Sequence, residues 1–505
     1  MRDTRQWKED AEDWRRRGVP DYQKEDRVKS PKQKKKIRSY PIIVITLFYS
    51  ALFVALMIYV GRYAYLNRQT LMDNNYNTRQ QILLKQNSRG SIYSRDGEVL
   101  AYTGKDENGN DKRVYPYGKE FAHVVGYSTN GKMGIEALSN YYLINTSIDL
   151  NDKVSYDTKG LKYPGDSVYT TLDVHLQEVA YNALSARKGA IIVSNPKTGE
   201  ILAMVSKPDF DPNEIAAEWD SLMADKSPDA KLLNRATQGL YPPGSTFKIV
   251  TALAYLKDNA GKYEDFKFTC NGQFSKDGST ISCFHGENHG NVDFFSAFAK
   301  SCNSAFADIG LSVDRKTFGS TVTSLMFNSE LPLDVRYSKS TANVNEDSTT
   351  DDIMQLSIGQ GTTSVTPIHM NMITNAIAND GMLLKPYFVT GVKSEDGKNI
   401  KSFSPENYKR LMTREEAATL SQMMEQVVLS GTGTKLKGLS YTAAGKTGSA
   451  EFNSSTSDSH AWFTGFAPAQ DPEVSVTIIV EDAGSGGSYA VPIAKRIFDA
   501  YFEAE

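Results

Sequence analysis

Ser245 and Lys248 stand three residues apart in Tyr241-Pro-Pro-Gly-Ser-Thr-Phe-Lys248, after a Pro-Pro-Gly corner and ahead of the apolar run Ile249 to Leu256. On the first turn of a helix, positions i and i+3 share a face, so this spacing lets a hydroxyl and an amine meet. The helix start also offers unpaired backbone N–H groups and a partial positive charge to an oxyanion or a carboxylate. A serine hydroxyl is a weak nucleophile at neutral pH and needs a base beside it. A desolvated lysine with a lowered pKa can serve. The chemistry these residues point to is serine acyl transfer, with Ser245 as nucleophile.

Ser-x-x-Lys alone says little, because it recurs at Ser185 and Lys188, where it reads as the end of an amphipathic helix. Two further motifs follow Ser245 in order. Ser301-Cys302-Asn303 lies 56 residues downstream, and Lys446-Thr447-Gly448 another 145 on. Both have decoys, Ser128-Thr129-Asn130 and Lys197-Thr198-Gly199, which come before Ser245; the second reads as a hairpin turn. The three motifs carry weight as an ordered set, together with Ser449-Ala-Glu451 behind the last.

This set resembles the penicillin-binding proteins. The resemblance runs from about Arg89 to the C-terminus. Arg89-Gly-Ser-Ile-Tyr-Ser-Arg-Asp-Gly-Glu-Val-Leu-Ala, Gly165-Asp-Ser-Val-Tyr-Thr-Thr-Leu-Asp, Asn234-Arg-Ala and Gly359-Gln-Gly-Thr-Thr-Ser-Val-Thr-Pro are similar to the monofunctional, class B members. It implies a peptidoglycan D,D-transpeptidase, acting on stem peptides that end in D-Ala-D-Ala and acylated by β-lactams. In the implied mechanism Lys248 takes the proton of Ser245, and backbone N–H groups of Ser245 and Ser449 hold the oxyanion. Ser301 and Lys446 relay a proton to the leaving D-Ala, and Asn303 orients the substrate amide and Lys248. Thr447, Gly448 and Ser449 form the substrate strand, where Thr447 and Lys446 suit a terminal carboxylate. His460, before Ala-Trp-Phe-Thr-Gly, reads as structural rather than catalytic.

Other functions of the same fold differ in particular features. A serine β-lactamase needs a deacylation base, and no segment resembles the Glu-bearing loop of class A. A D,D-carboxypeptidase differs only in using water as acceptor. A β-lactam sensor would carry a longer cytoplasmic signalling apparatus than the roughly forty residues here. The keywords that follow from the leading reading are wall synthesis in cell shape or division, and an antibiotic target.

The elements that position this chemistry fit in 505 residues, enough for two or three domains. A hydrophobic content of 40% and a charged content of 23% are ordinary for a globular protein. The net charge of −3 argues against a nucleic-acid partner. That total hides an asymmetry: residues 1–40 carry a surplus of +6 and the remainder −9. Residues 1–39 read as a solvated cytoplasmic tail ending in Lys32-Gln-Lys-Lys-Lys-Ile-Arg38; a short helix at Trp7–Arg17 touching a partner or lipid headgroups is the alternative.

Pro41 to Val60 is twenty residues without a charge, the length that spans about 30 Å of hydrocarbon. The long basic leader and the lack of a small-x-small site argue against a cleaved signal peptide. Residues 40–61 are therefore expected to be a single transmembrane helix, N-terminus cytoplasmic and the rest extracytoplasmic. Residues 62–163 follow as a small mixed pedestal, with a helix over Arg62–Lys85 and a strand over Ser91–Tyr102. They hold no catalytic constellation and are too few for the glycosyltransferase domain of class A members. The resemblance thus implies a separate, SEDS-type glycan polymerase as partner.

Residues 164–505 are expected to be the transpeptidase domain. A helix at Leu172–Leu184, a hairpin of Ala190–Ser194 with Glu200–Ser206, a helical and loop-rich middle to Asn379, strands at Tyr441–Phe452, Ala461–Ala467 and Val474–Glu481, and a helix at Val491–Phe502 give an α+β class. Strands at both ends enclosing helices suggest a five-stranded antiparallel sheet, and the resemblance implies the penicilloyl-serine-transferase fold.

The three cysteines leave several readings open. Cys270 and Cys283 bracket a hairpin-like segment and could form a disulfide in an oxidising compartment, leaving Cys302 alone beside Ser301. Alternatively Cys270, Cys283, His289 and Cys302 supply a tetrahedral zinc set, with His285 as a competing ligand. Free thiols are the third reading. Catalysis itself requires no cofactor; zinc would be structural.

Overall fold

The computed structural model describes residues 40–66, 79–227, 229–451 and 459–503. The basic tail and the middle of the expected Arg62–Lys85 helix lie outside these. The chain divides into two compact units, Met1–Arg68 and Gln69–Glu505. In the first, the apolar segment forms one helix, Tyr40–Leu66, which runs past the expected end at residue 61. It is long and apolar enough to cross a membrane. Its Thr46 hydroxyl bonds back to the Ile42 carbonyl at 2.8 Å, which satisfies that hydroxyl within the helix.

The core of the second unit is a five-stranded antiparallel sheet in the order Ala444–Glu451, Ser459–Ala467, Val474–Val480, Gly189–Ser194, Ile201–Lys207. The four strands after the first are buried along their whole length. That explains why Ala-Ile-Ile-Val reads as a continuous rather than alternating apolar run. Helices Val174–Leu184 and Gly486–Glu503 pack on one face. Helix Pro367–Ala378 covers the other and is buried throughout. Its Asn371 and Asn375 reach Ser194 at 2.8 and 3.0 Å, closing a polar network with the sheet.

The helical middle also holds short strands: the hairpin-like segment between Cys270 and Cys283 is a hairpin, and a second strand pair was not foreseen from the sequence. Lys267–Cys270 pairs with Gly290–Asp293, and Gln273–Lys276 with Ser279–Ser282. These four strands bring the cysteines together.

The pedestal corrects one expectation. Ser91–Tyr102 is not one strand but two, Ile92–Tyr93 and Val99–Lys105, folded back at Asp96-Gly97, where Gly97 takes φ 85°. They lie in a six-stranded sheet that also takes Asp111–Val114, Ser167–Thr170, Val389–Lys393 and Asn399–Ser402, so distant parts of the chain brace it. Arg89 begins the longest of the motifs above, and its Nε donates to Glu136 at 2.6 Å while Arg113 Nε donates at 2.7 Å. Glu136 is fully buried; burial alone would raise its pKa, but the two guanidiniums outweigh it and hold the carboxyl below its usual range.

Candidate active site

The turn that carries Ser245 is fixed from three sides. Trp462 Nε1 donates to the Pro242 carbonyl at 3.1 Å, and Tyr241 exchanges backbone hydrogen bonds with Val365 at 3.1 and 2.8 Å. Gly244 takes φ 52°, and a Cβ there would fall 2.9 Å from both Ala450 Cβ and the Ser449 carbonyl. The Lys-Thr-Gly edge strand therefore lies directly against the turn. Gly359, with φ 73°, seats the loop of Gly359-Gln-Gly-Thr-Thr beneath it: its carbonyl accepts from the Gly244 N–H at 2.9 Å. Gly244–Phe247 is one 3₁₀ turn leading into helix Lys248–Asp258. That helix is buried on every side from Lys248 to Leu256, as its unbroken apolar sequence requires.

Lys248 is completely buried. Its Nζ donates to the Ser301 carbonyl at 2.6 Å and to Asn303 Oδ1 at 2.7 Å, and lies 3.3 Å from Ser301 Oγ. Lys446 Nζ reaches Ser301 Oγ from the other side at 2.9 Å and its neighbour's carbonyl, Thr447 O, at 2.9 Å. Two amines thus flank one hydroxyl. Burial holds Lys248 down to about 7, against the pull of the Cys302 and Cys283 thiols. Lys446 is held well below the usual lysine range, by burial first and then by Lys248. Two adjacent buried ammonium groups repel, so the site favours at least one neutral amine at neutral pH.

Among the described residues no hydrogen bond joins Lys248 Nζ to Ser245 Oγ; the amine is spent on Ser301 and Asn303. Nucleophile–base bonds often tighten only with substrate in place. Ser301 sits at φ 57°, in the left-handed region rarely used by non-glycine residues. Strain of this kind persists only where the surroundings hold it. Here Ser301 N–H bonds to Phe298 O at 3.0 Å, and Cys302 caps helix Asn303–Ser312 through its sulfur. Asn303 Nδ2 donates to Ser282 O at 3.0 Å, which turns its carbonyl oxygen toward Lys248.

Ser245, Ser301, Asn303, Thr447, Gly448 and Ser449 line one cavity of about 650 Å³, with Lys248 and Lys446 beneath it. Thr447 Oγ1 lies 2.5 Å from Thr432 Oγ1. Thr432 and Gln360 also line the cavity, and sequence reasoning missed them; their signal was glycine on either side, in Gly431-Thr-Gly433 and Gly359-Gln-Gly361. The decoys lie elsewhere: Lys188 pairs with Asp229, Lys197 with Asp471, and Ser128 faces Tyr115. His460 is outside the cavity lining; its Nδ1 accepts from the Asp482 N–H at 3.2 Å, and burial lowers its pKa.

The four sequence-derived metal ligands converge beside Ser301. Their donor atoms all lie within 4.8 Å of one another. Cys270 and Cys283 sulfurs are 3.6 Å apart, Cys283 and Cys302 3.8 Å, and Cys270 Sγ to His289 Nδ1 is 3.5 Å. A tetrahedron of thiolates about 2.3 Å from zinc has edges of about 3.8 Å. All three cysteines are free and buried, so the Cys270–Cys283 disulfide reading does not describe this structure. His285 is not in the cluster. The other ring nitrogen of His289 lies 3.7 Å from Glu287 Oε2, a carboxylate placed to orient the ring.

Comparison with known proteins shows the family and the fold. Residues 189–499 match the model of the penicillin-binding protein transpeptidase domain, and residues 89–168 that of the penicillin-binding protein A dimerisation domain. The peptidoglycan D,D-transpeptidase PbpA of Mycolicibacterium smegmatis is 33% identical over 456 residues, covering 83% of this chain and 91% of that protein. Among solved structures, the D,D-transpeptidase domain of a peptidoglycan glycosyltransferase from Eggerthella lenta superposes with a TM-score of 0.74 at 32% identity, covering 83% of this chain and 99% of that one. Penicillin-binding protein A from M. tuberculosis, as its penicillin G acyl-enzyme complex, gives a TM-score of 0.74 at 29% identity, over 82% of this chain and all of that one.

Proposed function

The chain belongs to the transpeptidase family of penicillin-binding proteins, class B, and on that premise we infer that it is a peptidoglycan D,D-transpeptidase working through an acyl-enzyme on Ser245. The observation that carries the reading is the convergence of two buried lysines on Ser301, beside the turn that presents Ser245. Stem peptides ending in D-Ala-D-Ala and β-lactams are its ligands.

Ser245 Oγ attacks the penultimate D-Ala carbonyl while its proton passes to the neutral Lys248 amine. The new C–O bond gives a tetrahedral oxyanion, held by the backbone N–H groups of Ser245 and Ser449. Collapse breaks the C–N bond, and the proton taken by Lys248 passes through Ser301, with Lys446 beside it, to the departing D-Ala amine, leaving Lys248 neutral again. An amine of a neighbouring stem then attacks the ester, breaks the C–O bond and returns a proton to Ser245. Thr447, held by Thr432, and Lys446 take the terminal carboxylate of the donor. A penicillin opens on the same serine and stays.

The helix Tyr40–Leu66 fits a single-pass membrane protein. We place its basic N-terminal side in the cytoplasm and the catalytic domain outside, with a SEDS-type polymerase as the partner that supplies glycan strands. Incubation with a stem pentapeptide and an amine acceptor tests the reaction: release of D-Ala with a crosslinked product is expected. Release without crosslink would make the protein a D,D-carboxypeptidase, and turnover of penicillin a β-lactamase.

We also propose that Cys270, Cys283, His289 and Cys302 hold a structural zinc. Zinc would tie strand Lys267–Cys270 and the end of the neighbouring hairpin to the start of helix Asn303–Ser312, and so brace Ser301 and Asn303. N–H groups of Gly272 and Ala305 already point at the Cys270 and Cys302 sulfurs, each at 3.4 Å, and favour thiolates. Purified protein should carry one zinc, with thiols that react only after chelation. Less than about half an equivalent, with three titratable thiols, would overturn the assignment.

A further inference from the structure

A second cavity, of about 1,470 Å³, opens between the pedestal and the transpeptidase domain and shares no lining residue with the one at Ser245. It exceeds the roughly 300–1,000 Å³ usual for small-molecule sites and has room for an extended ligand. Its wall carries Lys132, Arg336, Lys385 and Lys401 against one carboxylate, Asp334. Lys385 takes that carboxylate at 2.8 Å, and Lys132 bonds to the neutral Gln80 amide at 2.9 Å. Arg336 and Lys401 have no ion pair among the described residues; Lys401 stands 4.5 Å over the ring of Phe403.

The rest of the wall is apolar and aromatic. Tyr127 edges onto Trp219 with ring centroids 6.0 Å apart, and Met223 beside them is 57% exposed. Tyr142, only 5% exposed, lines the same cavity with a hydroxyl that has no hydrogen-bond partner among the described residues. A cleft that merely separated two domains would not need cations in excess over a hydrophobic floor. Positive charge at one place and aromatic faces at another suit an extended ligand with both carboxylates and apolar side chains.

We propose that this cleft binds an uncrosslinked stem peptide of the wall, held apart from the active site through its carboxylates at Arg336 and Lys401 and its methyl groups on the Tyr127–Trp219 face. The choice of stem peptide rests on the transpeptidase reading, because that reaction places such peptides at high local concentration beside the protein.

The test uses the full chain in detergent micelles, with Ser245 first acylated to completion by penicillin so that the active site is closed. A soluble stem pentapeptide is then titrated in by calorimetry. Saturable binding is expected, at least tenfold weaker in the double variant Arg336→Glu, Lys401→Glu, whose penicillin acylation rate stays within twofold of the unaltered chain. Absence of saturable binding to the acylated chain, or equal affinity in the double variant, would overturn the proposal. So would equal binding of an unrelated Glu-Ala peptide, which would leave a carboxylate site but remove the stem-peptide assignment. Should penicillin not acylate Ser245, the transpeptidase reading fails separately, and the same titration on the Ser245→Ala chain still decides the cleft.

Discussion

Gly359→Ala perturbs catalysis without touching a residue that meets the substrate. A Cβ at this position would lie 2.2 Å from the Gly244 carbonyl oxygen and 2.7 Å from Phe247 Cβ. An ordinary carbon–oxygen contact is about 3.3 Å, so the loop and the nucleophile turn must separate by about 1 Å. The residue also sits at φ 73°, where a side chain adds about 1–2 kcal/mol of backbone strain. With overpacking of about 1–3 kcal/mol, the total is about 2–5 kcal/mol. The separation falls on the turn that aims Ser245, because Gly244 N–H bonds to Gly359 O. A misplacement of about 1 Å costs about a hundredfold in rate. The second-order rate constant for acylation by a fluorescent penicillin should fall by about that factor, with a lowered thermal midpoint. Acylation within threefold of the unaltered chain would refute the claim that this loop sets the nucleophile.

Two further outcomes follow from buried charges. Lys248, held down to about 7 by burial, is the base only when neutral. Acylation should therefore climb as pH rises through 7, falling about tenfold per unit below it; a flat profile between pH 5.5 and 8 would remove Lys248 from that role. Glu136→Gln leaves Arg89 and Arg113 buried without a carboxylate, at a cost of about 3–5 kcal/mol, read as a lower denaturation midpoint with 25 °C acylation kept. Because the folded pKa of Glu136 is lowered, the stability it contributes is present above the unfolded carboxylate pKa and lost as pH falls through the folded one.

Legibility in the sequence tracked burial and chemistry. Four of the five strands of the main sheet stood out because both faces of the sheet are covered and their sequences run largely apolar; Ala444–Glu451 was legible by its Lys-Thr-Gly motif instead. Ser245, Ser301 and Lys446 stood out by residue type and order, and the structure sets the two serines on one cavity with Lys446 bonded to Ser301 beneath it. The four candidate metal ligands, His289 among them, were legible as spacings, and the structure leaves the competing His285 outside the cluster. What stayed hidden was non-local. Val389–Lys393 is a short, partly exposed strand that carries too little pattern to reveal its partner Ser167–Thr170, more than 200 residues away. Glu136 looked like any helix-surface carboxylate until Arg89 and Arg113 closed on it. Thr432 has no chemistry of its own that marks it; its flanking glycines hint at a tight turn, and the contact with Thr447 gives it a place in the site.

The most direct measurement is intact-protein and peptide mass spectrometry after exposure to penicillin, on the natural chain and on Ser245→Ala. The account predicts one penicilloyl adduct, located on Ser245, stable for hours and absent from the variant. An adduct on another residue, or an adduct that persists in Ser245→Ala, would contradict it.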